Sequence, residues 1–296
     1  MNNNRKEICG CIIKSGGMRE MESMKKMMHA DEYLRHVYTE PEEPWQLPLP
    51  DEAYLPAWKD ADKQGILDVL RERFSIEVDS FPWTQPDTVR LLFIQTLAGR
   101  LPVIRTGAHE DFCNLAAMLN GVGTAVDYPP TINACMMQAR HERIYHHRIL
   151  LMNDAPYSNV SAERLGLTSA EWLERSAALR LRHECAHYET LRLFGGMQNH
   201  ALDEIVADTM GQIAAFGDFS AERQRIFFGL ARGGGQCDGR LNFYTQRVFA
   251  GERSEIYRLT DQRLDVLESE IQQAQAQKAD DYELLRLLAT RPLMPA

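Results

Sequence analysis

Residues 168–217 constrain this chain more than any other stretch, because they specify two helices and the turn between them. Thr168 with Glu171 three residues on is a capping box, and Ser169 is an alternative cap. Helical sequence follows over residues 172–194, and Gly195-Gly196 stops it, because glycine takes a left-handed position after a helix without strain. Residues 197–201 turn the chain. A second helix is predicted over residues 201–216, stopping at Gly217. A connection of about five residues suits antiparallel neighbours, so side chains on the facing sides of the two helices are brought together.

The first helix carries His183-Glu184-Cys185-Ala186-His187, an H-E-x-x-H motif. Histidines four apart lie one turn above each other on one face. Two neutral imidazoles so placed can take two corners of a zinc tetrahedron, with Glu184 directed at a metal-bound water rather than at the metal. The third ligand decides the type of site. The metzincin signature needs a glycine and then a third histidine in the six residues after His187; Thr190 and Leu193 stand at those places and exclude it. The second helix offers Leu202-Asp203-Glu204-Ile205-Val206-Ala207-Asp208 instead. Glu204 and Asp208, again four apart, share a face. Glu204 can give the metal a carboxylate oxygen, and Asp208 can accept the spare ring N–H of a ligand histidine and fix its tautomer. Each pair alone also suits an ordinary amphipathic helix, where the dipole favours acids in the first turn. The two pairs together are the more specific pattern.

H-E-x-x-H followed by E-x-x-x-D resembles the gluzincin metallopeptidases, the thermolysin-like zincins, over about residues 168–217. The resemblance implies one zinc ion held by His183, His187 and Glu204, with Glu184 as general base and Asp208 orienting a ligand histidine. It also implies a zincin-like α+β fold: a small antiparallel β-sheet with active-site helices, followed by a mostly helical C-terminal region. A peptide or protein would be the substrate.

Upstream, residues 60–74 read as a helix, 88–96 suit a strand or a helix, 101–106 read as a short strand, and 109–120 as a helix closed by Gly121. Residues 131–138 and 144–152 read as strands paired antiparallel. In zincins an antiparallel edge strand holds the substrate by β-augmentation. Asn133-Ala134 is similar to the Asn-Ala at that edge in thermolysin-like enzymes, and equally suits a plain strand. His141, His146 and His147 cluster here without the spacing of a compact ligand set. Neighbours on a strand face opposite sides, so one of His146 and His147 is expected to face a cleft and the other solvent. His147, Tyr145 and Tyr157 are alternative candidates for binding substrate or stabilising an oxyanion.

Three regions are expected. Residues 1–50 form an N-terminal arm, partly disordered and proline-rich, with Met18, Met21, Met24 and Met27 at helical spacing. Residues 51–217 form the metal-binding catalytic region. Residues 218–296 form a helical region packed on it, with helices over 220–230, 241–249, 252–278 and 282–288, and with Gly233-Gly234-Gly235 as a hinge or stop. The apolar stripe of the longest is Ile256, Leu259, Val266, Leu267 and Ile271.

Composition removes several functions. With 296 residues, 44% of them apolar and 25% charged, the chain is long enough to bury a core and reads as globular. Its net charge of −9 argues against a nucleic-acid partner, which needs a basic face. No apolar run is long enough for a transmembrane helix, and the polar start lacks the apolar core of a secretory signal. A cytoplasmic location is therefore expected, with reduced thiols at the six cysteines, of which Cys9 and Cys11 form a C-x-C pair and Cys185 is a packing residue. The leading expectation is a zinc-dependent hydrolase, a metallopeptidase using zinc-activated water. The alternatives are a non-catalytic helical interaction protein stapled by zinc, and a metal-free helical scaffold.

Overall fold

The computed structural model describes residues 27–294 apart from 43, 44, 125, 127, 197 and 198. The expected leader with Met18, Met21 and Met24, and the Cys9–Cys11 pair, lie outside the described residues. In chain order the elements are α1 (Ala30–Arg35), α2 (Ile66–Asp68), β1 (Arg90–Thr96), β2 (Gly99–Thr106), α3 (His109–Leu119), β3 (Ala134–Gln138), β4 (Arg148–Asn153), α4 (Ser169–Phe194), α5 (His200–Phe216), α6 (Ala221–Phe228), α7 (Arg240–Tyr244), α8 (Arg253–Ala276) and α9 (Asp281–Ala289). The class is α+β, with a small sheet and a helical C-terminal region. The described chain divides into two compact units, residues 50–154 and residues 27–49 with 155–294.

The first unit holds a four-stranded sheet in the order β1-β2-β4-β3. β1 and β2 form an antiparallel hairpin in which Thr96 faces Gly99, and β3 pairs antiparallel with β4, Ala134 facing Met152. The sheet is nevertheless mixed rather than antiparallel throughout, because β2 and β4 run parallel, Val103 facing Leu150. A parallel pair needs a long crossover, and α3 lies in it. Residues Ile149 to Met152 are all buried, as expected of a central strand covered on both faces. Trp58, Leu70, Phe112, Leu115, Ile149 and Leu151 belong to the core of this unit. Residues 60–74 are not one helix: Gln64 is extended, and the helical backbone resumes at Ile66 and widens into a π turn over Val69–Arg73. β4 starts at Arg148, so His146 and His147 lie in a tight turn rather than on a strand, and His146 has φ 65°.

In the second unit α4 and α5 are the antiparallel pair that the sequence predicts. The Thr168 hydroxyl accepts from the Glu171 backbone, and the Glu171 carboxylate accepts from the Thr168 backbone, at 2.9 Å. α4 stops at Gly195, whose φ of 82° and ψ of −158° suit glycine but are not the left-handed helical conformation; α5 stops at Gly217 in that conformation. α6 ends at Gly229, before the triple glycine, and α7 stops at Tyr244 rather than running to residue 249. On α8, Ile256, Leu259, Leu264, Leu267 and Ile271 are buried, whereas Val266 is 52% exposed. Trp172, Leu179 and Phe227 cluster with Tyr157 and Val160 beneath α4. Among the described residues no helix is long and apolar enough to cross a membrane.

The two site helices cross closely at Gly211, where a Cβ would stand 2.8 Å from the Leu179 carbonyl oxygen. A methyl there must push α5 off α4. Gly211→Ala is expected to destabilise the protein by about 1–3 kcal/mol, the usual cost of overpacking. Urea unfolding measures it, and an unchanged midpoint would contradict the close crossing.

Candidate metal centre

α4 and α5 bring His183, His187 and Glu204 together, with one donor atom of each within 4.8 Å of the others. The two Nε2 atoms are 3.1 Å apart. Glu204 Oε2 lies 3.6 Å from His183 Nε2, and Glu204 Oε1 lies 3.8 Å from His187 Nε2. Zinc–ligand bonds of about 2.0–2.1 Å give tetrahedral edges of roughly 3.3 Å, so the three donors stand near the spacing one ion needs.

Both imidazoles are aimed from behind. His183 Nδ1 is 2.9 Å from Asp208 Oδ1, and His187 Nδ1 is 3.1 Å from Asp203 Oδ1. Each carboxylate accepts an Nδ1–H, which points both Nε2 atoms to the side of Glu204. Asp208, predicted for this role, is fully buried and saturated. Its Oδ1 also accepts from the Tyr157 hydroxyl, and its Oδ2 accepts from Arg240 and, at 2.6 Å, from Gln224. Arg240 Nη1 further donates to the Tyr157 oxygen at 2.9 Å and lies 3.7 Å from Glu204 Oε2.

The electrostatics follow from burial and these charges. Burial disfavours the His187 imidazolium, but the charge and hydrogen bond of Asp203, with Glu204 and Glu184, outweigh it and raise the His187 pKa to about 10. The cluster thus attracts a cation at His187, and a divalent ion at Nε2 would draw on the same negative field. Burial also holds the Glu204 carboxyl above its usual range, against the pull of His187, His183 and Arg240. For Asp208 the balance reverses: burial raises its pKa, yet Arg240 and His183 hold the carboxyl below its usual range.

Glu184 is buried on the same turn of α4 and contributes to the field on His187. Cys185 is a free, buried thiol pushed up to about 12, chiefly by burial, as expected of a packing residue. Tyr157 is buried behind His183, with its hydroxyl 2.9 Å from His183 Nδ1. The other candidates belong to the first unit. Asn133 spends its side chain internally, donating to the Pro130 carbonyl and accepting from Asn153 at 2.9 Å. Ala134 opens β3, and Tyr145 is exposed. His147 stacks on Tyr54 at 4.7 Å and accepts from Trp58 Nε1 at 3.0 Å, and burial lowers its pKa. Sequence reasoning did not find Asp203, Arg240, Gln224 or Tyr38. Asp203 alone had a signal, its place beside Glu204 in the first turn of α5.

Fold and cluster together define an α+β protein with a buried His/His/Glu group suited to a metal ion. The chain belongs to a family of unknown function, DUF7005, whose model matches residues 131–294, more than half of the chain and the whole cluster. No curated protein and no solved structure matches it.

Proposed function

We propose that this protein is a zinc-dependent hydrolase of the metallopeptidase type, with a zincin-like catalytic region in which His183, His187 and Glu204 hold the metal. The observation that carries this reading is the convergence of these three donors with both Nδ1 atoms tied to carboxylates. Two neutral nitrogens and one carboxylate favour zinc over harder cations. Bound there, zinc would supply Lewis acidity, polarising a carbonyl and making water more acidic.

The chain's own groups do the rest. Asp208 and Asp203 keep both ligand imidazoles in one tautomer and one orientation. Glu184 moves the proton: its carboxylate takes one from the attacking water as the C–O bond forms, and returns it to the departing amine as the C–N bond then breaks.

The test is metal content, measured by mass spectrometry on protein purified without chelator or added metal. About one zinc per chain is expected in the parent and none in His187→Ala, because a site of three ligands does not survive losing one. The zinc-loaded parent is then offered a peptide library. A parent free of metal, with no binding heat on adding zinc, refutes the reading.

A further inference from the structure

We propose that Tyr38 is a positioning residue of the metal centre, and that its hydroxyl sets the aim of His187 through Asp203. This rests on the reading of His183, His187 and Glu204 as metal ligands. Tyr38 is 4% exposed, and its hydroxyl donates to Asp203 Oδ1, the oxygen that also accepts from His187 Nδ1 at 3.1 Å. Its oxygen lies 3.2 Å from Thr190 Oγ1, and Thr190 Oγ1 donates to the His187 carbonyl at 3.1 Å. One phenol is therefore tied to both the carboxylate behind His187 and the helical turn that carries it.

The geometry needs such a tie. The Asp203 side chain is 24% exposed, against 0% for Asp208. Asp208 is held by four donors, whereas Asp203 sits in the first turn of α5, where its carboxylate can rotate toward water. A second donor on the oxygen that His187 uses fixes that rotation. Burial, and then the negative charge of Asp203, hold the Tyr38 hydroxyl protonated well above its usual range, so it remains a donor.

The segment is itself anchored along its length. Tyr33 accepts from the Ala201 N–H at 2.8 Å and donates to the Tyr244 carbonyl at 3.1 Å. The Tyr38 N–H donates to the Ala289 carbonyl at 3.0 Å, and the Trp45 indole N–H to the Leu193 carbonyl at 3.0 Å. These bonds hold the segment's backbone, and the Tyr38 hydroxyl is the group that carries it to Asp203.

Zinc affinity, measured by competition with a chromophoric chelator, tests this without reference to catalysis. Tyr38→Phe removes one oxygen and leaves the packed ring. It is expected to weaken zinc binding about tenfold, the lower end of what losing an outer partner of a ligand histidine costs. Trp45→Phe, which alters the same segment away from Asp203, should bind zinc as the parent does. In an Asp203→Ala background Tyr38→Phe should cost nothing further, because its effect passes through that carboxylate. Melting of the metal-free proteins checks that each variant folds; if Asp203→Ala does not, the Tyr38→Phe and Trp45→Phe pair decides. Parent-like affinity in Tyr38→Phe, or an equal loss in Trp45→Phe, overturns the proposal and leaves the metal reading standing. A parent that binds no zinc overturns both.

Discussion

Replacing Glu184 by glutamine is expected to leave the bound zinc in place and to lower peptide hydrolysis by about 10²–10⁴-fold, the usual contribution of a positioned general base. The reason is division of labour on one helical turn. His183 and His187 converge with Glu204, while Glu184, between them in sequence, is not among the three converging donors. Glutamine keeps the size and a carbonyl acceptor but cannot take a proton at pH 7. Metal content and turnover are measured on the same preparation, with the cleavable peptide taken from the library screen. Parent-like turnover would remove Glu184 from the chemistry. Loss of zinc along with activity would make it a structural support of the site. The contrast with His187→Ala, which should lose metal and activity together, separates the two cases.

The parts of this molecule that were legible in the sequence are those whose evidence lies within a few residues. The capping box at Thr168, the glycines after residues 194 and 216, and the two four-residue spacings all act locally. They sufficed to place His183, His187, Glu204 and Asp208 in one cluster. The layer behind the ligands is different. Arg240 reaches Asp208 across 32 residues, and Tyr38 reaches Asp203 across 165. No periodicity links such pairs; only the packed helices bring them together. The sheet shows the same divide. The β3–β4 pair is close in sequence and was predicted. The parallel β2–β4 pairing was missed, because a central strand reads as one apolar run and carries no sign of direction. His146 and His147 misled for a related reason: the backbone turns just before Arg148, with His146 at φ 65°, so strand alternation does not apply to them.

Asp208→Ala should be among the most damaging single truncations in this unit, for stability as much as for metal. The carboxylate is fully buried and accepts from His183, Tyr157, Gln224 and Arg240. Removing it leaves the Arg240 guanidinium, 21% exposed, without its principal partner, and breaking such a half-buried pair should cost about 1–3 kcal/mol, less than the roughly 3–5 kcal/mol of a fully buried one. It also frees the His183 tautomer, which should weaken zinc binding about 10–100-fold. The two effects can be told apart. Urea unfolding in the presence of chelator measures the first, and chelator competition on the folded protein measures the second. Removing the charge as well, in Asp208→Leu with Arg240→Met, should recover part of the stability, because an apolar pair of similar size carries no desolvation penalty. It should recover none of the zinc affinity, because the imidazole still lacks its acceptor. If the single and double variants unfold at the same urea concentration, the pairing of Asp208 with Arg240 does not hold this site together.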